Sequence, residues 1–119
     1  SGDNLQIITD ISNDYLIVTL NGELDHHTSE DVRKKIDQIY YNNNLLNMIL
    51  DLSGLKFMDS SGIGLIMGRY KNCKEREGHV SIVSIGPYIE RILKMSGLLK
   101  IINIYPTIEE AIESKGEGN

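Results

Sequence analysis

The sequence predicts an α/β domain in which a mixed, mainly parallel β-sheet packs with about four α-helices. Three observations point there. Two β-rich segments, Leu5–Ile11 and Tyr15–Leu20, open the chain with Asn13-Asp14 as a turn signal between them. Segments of helical and strand character then alternate to the end. Tyr15–Leu20 is nearly all β-branched or aliphatic, as expected of a strand buried on both faces. The short turn allows an antiparallel first pair, and helical crossovers, right-handed as a rule, make the later strands parallel.

Each element has its own signal. Asn21-Gly22 reads as a turn. Thr28 opens the first helix, with Asp31 at capping-box spacing. Val32, Ile36, Ile39 and Tyr40 then form one apolar face, and Asn42-Asn43-Asn44 ends the helix. Leu46–Leu52 is the next strand. The second helix carries Ile63, Ile66, Met67 and Tyr70 on its apolar face, with Cys73 as a core or boundary residue and Gly78 as its stop. Val80–Ile85 is a strand. Pro87 suits the first position of a short helix with Ile89, Ile92 and Leu93 inward and Gly97 at its end. Ile101–Ile104 is the last strand. Thr107 caps a final helix, and Glu110 completes a capping box.

A chain of 119 residues suits one domain with one adequate core. Its net charge of −5 argues against nucleic acid, which needs a basic stripe, and against anionic lipid. Cys73 is the only cysteine, so no intramolecular disulfide or thiolate metal cluster forms, which fits a reducing cytoplasm. No apolar run approaches the roughly 18 residues of a membrane helix, and no signal segment opens the chain. The expectation is a cytoplasmic domain without membrane insertion. Ser1-Gly2 reads as a cleaved-tag remnant, 3–114 as the domain, and 115–119 as a flexible polar tail.

The chemistry concentrates in Phe57-Met58-Asp59-Ser60-Ser61-Gly62-Ile63-Gly64. A strand-to-helix turn in an α/β sheet lies at the edge where such folds place functional groups. Ser60 falls at the expected N-cap, and the structural reading is a helix cap contributing ~1 kcal/mol. A second reading is functional. Gly62 and Gly64 each weaken the helix by roughly 0.5–1 kcal/mol, so close approach of another chain could favour them. A helix start also tolerates an anion, and a phosphate would add about −1.5 to −2 charges. This local reasoning does not choose between Ser60 and Ser61. Enzyme readings are weaker. The turn lacks a dinucleotide fingerprint, a phosphate loop and a nucleophile elbow. His79, the base considered for a serine nucleophile, stands at the start of a different strand.

The second candidate segment is Gly22-Glu23-Leu24-Asp25-His26-His27-Thr28. Its histidines and carboxylates resemble metal ligands. In an extended segment, however, His26 and His27 point to opposite sides and do not share an ion. A polar loop before a helix cap is the preferred reading, with no metal and no cofactor expected.

Taken together these segments resemble the STAS domain family, in particular its sporulation-type anti-sigma factor antagonists. The resemblance runs from Leu5 to Ile104. Gly22–Thr28 is similar to the family's first signature. Phe57–Gly64, continuing through Gly68-Arg69-Tyr70-Lys71, is similar to its phosphorylation signature. Met95-Ser96-Gly97-Leu98 with Lys100-Ile101-Ile102 is similar to a third. The key positions show no departure.

The resemblance implies a regulatory domain rather than an enzyme. The unphosphorylated form would bind an anti-sigma factor and so release a sporulation sigma factor. That anti-sigma factor is also a serine kinase, carrying the ATP and Mg²⁺ itself, and a PP2C-type phosphatase reverses the modification. The residue modified would be Ser60, the first serine of Asp59-Ser60-Ser61. Asp25, His26, His27, Asp59, Ser61, Gly62 and Gly64 are candidates for the same interface. Three alternatives stay open: a stress-response antagonist, a STAS subunit of a larger sensory assembly, and a small nucleotide-binding domain.

Overall fold

The computed structural model describes residues 4–83 and 85–117. The expected tag remnant Ser1-Gly2 and the last two residues of the expected tail lie outside the described residues. The strands are β1 (Leu5–Ser12), β2 (Tyr15–Leu24), β3 (Asn47–Met58), β4 (Val80–Val83) and β5 (Asn103–Tyr105). The helices are α1 (Ser29–Asn42), α2 (Ser60–Glu75), α3 (Pro87–Ser96) and α4 (Ile108–Ser114), with a 3-10 turn at Leu98–Lys100.

One five-stranded sheet runs in the order β1-β2-β3-β4-β5. β1 is antiparallel to β2, with Ser12 opposite Tyr15 across the Asn13-Asp14 turn, and all other pairs are parallel. The mixed, mainly parallel sheet with four helices is therefore as the sequence predicts. Because spatial order follows chain order, right-handed crossovers place α1, α2 and α3 on one face. The main core confirms this: Leu16, Val18 and Leu20 of β2 and Met48, Leu50 and Leu52 of β3 pack with Ile36, Ile66 and Leu93 of the three helices. Alternate residues Tyr15, Ile49 and Val83 face the other way and meet Ala111 of α4.

Parallel pairing of β2, β3 and β4 brings the starts of α1, α2 and α3 to one edge of the sheet. This edge positions the candidate site.

Several boundaries differ from expectation for local reasons. Asn21-Gly22 does not turn the chain. β2 continues to Leu24, and its pairing with β3 shifts register on both sides of this dipeptide. Gly22 absorbs the irregularity at φ +117°, where a Cβ would strike the Asn4 carbonyl. β3 runs six residues beyond Leu52, to Met58, because it keeps pairing with the extended β2. α2 ends at Glu75, and Glu77, not Gly78, takes the left-handed conformation at φ 63°. Gly78 instead passes against the Leu46 carbonyl, where no Cβ fits. The last strand begins two residues late, since residues 98–100 coil after the left-handed Gly97. Within the expected tail, Asn103 Nδ2 donates to the Glu117 carbonyl at 2.6 Å, and Gly116 lies against the His79 ring.

Candidate functional site

Two loops meet at the sheet edge described above. The first joins β3 to α2. Its cap is Asp59, at φ −112°, ψ −169°, and Ser60 is the first helical residue. This corrects the expectation that Ser60 is the N-cap. Aspartate caps as well as serine and adds a favourable charge at the positive end of the helix dipole. Asp59 Oδ1 accepts from Ser61 N at 2.8 Å and from Gly62 N at 3.4 Å. The capping duty is thereby taken from Ser60, which is exposed.

The second loop joins β2 to α1 and is tightly bonded. Asp25 Oδ1 accepts from His27 N at 2.9 Å and Thr28 N at 3.1 Å. Desolvation works to raise the Asp25 pKa, but these two backbone N–H groups bond the carboxylate form and hold the pKa below its ordinary value. Thr28 is buried and occupies the cap position, but its side chain does not cap α1. Its hydroxyl donates to the Glu23 carbonyl at 2.9 Å and accepts from Asp25 N at 3.0 Å. The expected capping box is replaced by a loop lock.

His26 and His27 do not diverge. Residues 26–28 form a turn, and the two rings lie against each other, tilted by 40° with centroids 3.8 Å apart. The extended geometry assumed from sequence does not apply here. His26 N donates to Asp59 Oδ2 at 3.2 Å, and His26 Nδ1 stands 3.9 Å from the same oxygen. Asp59 N also donates to the Leu24 carbonyl at 3.2 Å. The structure thus brings Asp25, His26, His27, Asp59, Ser60 and Ser61 onto one edge.

The two glycines have different causes. At Gly62 a Cβ would lie 2.6 Å from Met58 Cγ and 3.1 Å from Leu24 Cδ2, so packing of α2 on the sheet requires its absence. Gly64 has nothing within 4 Å of that position and is exposed. Gly68, one turn on, is equally open. Of the pair flagged in the sequence, only Gly64 leaves bare backbone for another molecule.

From the sequence, Arg69 has no role beyond its place in the second signature. It is 5% exposed, and its Nε lies 3.0 Å from Asp37 Oδ1 of α1. A charge within a helix reads as solvated, and nothing in the sequence pairs Arg69 with Asp37. Cys73 is buried as expected, and burial pushes its thiol up to about 11. His79 precedes β4 at the opposite edge, with Nε2 2.9 Å from Tyr15 Oη. It is not placed to serve Ser60 as a base. Among the described residues no three His, Cys, Asp or Glu side chains are grouped to hold a metal ion. No helix among the described residues is long and apolar enough to cross a membrane.

A five-stranded mixed sheet carrying helices whose starts meet at one edge defines the class as a small α/β domain. The family model described as STAS domain matches residues 6–111, and the chain belongs to the STAS domain family. It is 45% identical over 102 residues to the anti-sigma F factor antagonist of Paenibacillus polymyxa, covering 86% of this chain and 87% of that one. It is 34% identical over 88 residues to the anti-sigma F factor antagonist of Lysinibacillus sphaericus, covering 74% and 75%. Among solved structures it resembles the anti-sigma factor antagonist SpoIIAA in its unphosphorylated form, with TM-score 0.71, 28% identity and coverage of 92% and 94%. It also resembles the Bacillus cell fate determinant SpoIIAA in the phosphorylated form, with TM-score 0.70, 31% identity and coverage of 92% and 96%.

Proposed function

We propose that this chain is an anti-sigma factor antagonist of the sporulation type that works by partner switching, as ligand and substrate rather than catalyst. Unphosphorylated, it binds an anti-sigma factor and so releases the sigma factor to transcription. Phosphorylation of Ser60 by that same partner, a serine kinase holding ATP and Mg²⁺, ends the binding. A PP2C-type phosphatase restores it. All of this takes place in the cytoplasm. What carries the reading is Ser60 itself: an exposed first residue of α2, in a chain 45% identical to an anti-sigma F factor antagonist.

The geometry supports a local block. Asp59 already fills the helix start, accepting from Ser61 N and Gly62 N. A phosphate on Ser60 would therefore stand beside a carboxylate and project into solvent rather than bond the helix end. The free domain has little reason to rearrange. A docked kinase has to bring its nucleotide close to Ser60, so the new phosphate would face the partner's phosphates or acidic groups. Like charges across an interface cost several kcal/mol, and ~4 kcal/mol is about a thousandfold in affinity.

Asp25, His26, His27, Asp59, Ser61 and Gly64 would share the docking face, whereas Gly62 would act through packing. Calorimetry of both forms against the anti-sigma factor of the same organism tests this. The unphosphorylated domain should bind and the phosphorylated one should bind roughly a thousandfold more weakly, while amide spectra change only near Ser60. Equal binding of the two forms would refute the switch.

A further inference from the structure

Between α1 and α2, beside the Ser60 face, lies a groove of about 280 Å³. Glu30 and Arg33 line it from α1, and Ser61, Gly64, Gly68 and Arg69 from α2. Arg69 is unusual there, being 5% exposed. Its Nε meets Asp37 Oδ1 at 3.0 Å as an ion pair without hydrogen-bond alignment, and its buried Nη1 also has no hydrogen-bond partner among the described residues. A guanidinium is donor-only, and a buried donor left unpaired is costly. Arg69 lines the groove, so an acceptor entering it meets a guanidinium two of whose nitrogens have no hydrogen-bond partner among the described residues.

We infer that this groove receives a carboxylate side chain, aspartate or glutamate, from the protein that docks on the Ser60 face, and that Arg69 is its receptor. The inference rests on the proposed docking function. Three features select the ligand. A guanidinium fork matches the two oxygens of a carboxylate. Arg33 stands in the same groove as a second cation, since its Nη1 lies 3.6 Å from the other Asp37 oxygen. Glu30 and Asp37 offset two of the three cations Arg33, Arg69 and Lys34, the last with Nζ 4.0 Å from Glu30 Oε2, so one further negative charge neutralises the site and a dianionic phosphate overfills it. Access comes from Gly64 and Gly68, whose missing side chains leave the α2 wall open.

The test compares wild type, Arg69→Gln and Arg33→Gln for binding to the anti-sigma factor, with thermal melts and amide spectra as folding controls. The wild-type Arg69 guanidinium ¹⁵N signals are followed in parallel, so the answer does not depend on the variant folding. Kd should rise roughly 10–100-fold for Arg69→Gln, less for Arg33→Gln, and the Arg69 signals should move on complex formation. Unchanged Kd and unmoved signals, in a complex that still forms and is still blocked by Ser60 phosphorylation, would overturn the inference and spare the docking function. Failure of wild type to bind would overturn both. The same Arg69 shift with millimolar inorganic phosphate alone would make the groove a free-anion site and overturn the carboxylate assignment.

Discussion

Asp59 ties His26 to the start of α2: Oδ2 accepts the His26 amide at 3.2 Å while Oδ1 accepts Ser61 N at 2.8 Å. One carboxylate thus fixes the β2–α1 loop relative to the helix that presents Ser60. Asp59→Ala should cost ~1 kcal/mol as a lost cap and also loosen the neighbouring loop. Hydrogen exchange should quicken at Ser61, Gly62 and His26 together. Faster exchange at Ser61 and Gly62 with His26 unchanged would show that the two loops are not coupled.

The contrast between Gly62 and Gly64 separates packing from docking. Gly62→Ala inserts a methyl 2.6 Å from Met58 Cγ and should destabilise by ~1–3 kcal/mol. Gly64→Ala meets nothing and should stabilise the helix by ~0.5–1 kcal/mol, yet weaken binding to the anti-sigma factor. Denaturant melts and calorimetry on the two variants read these effects. A Gly64→Ala protein that is more stable and binds normally would remove Gly64 from the interface.

His79 gives a pH signature remote from the site. Burial holds its pKa below the ordinary histidine value. The folded state then favours neutral imidazole, and below pH about 6.5 the unfolded chain binds more protons than the native one. Its contribution is present above that value and lost as the pH falls through the folded pKa. The melting temperature should drop as the pH falls below about 6.5, and His79→Gln should flatten that part of the curve. Identical slopes in both proteins would contradict this.

Most of the fold was legible in the sequence, because aliphatic strands and amphipathic helices follow simple periods. Where it was not, tertiary pairing overrode local chemistry. Asn21-Gly22 spells a turn, but β3 holds that segment in the sheet through Leu24. Ser60 spells a cap, but the adjacent Asp59 competes for the same amides and takes them. His26 and His27 were placed on opposite sides by an extended-chain rule, which the Asp25 turn cancels. Arg69 and Asp37 are distant in sequence, so only α1–α2 packing reveals their pairing. The segments bearing the site were readable; the bonds that join them were not.

The proposed switch is a single hydroxyl, that of Ser60. Incubation with the anti-sigma factor of the same organism, ATP and Mg²⁺, followed by intact mass and site mapping, tests it most directly. The predicted result is one added phosphate, located on Ser60 and absent from Ser60→Ala. A phosphate mapped to Ser61, or one still acquired by Ser60→Ala, would contradict it.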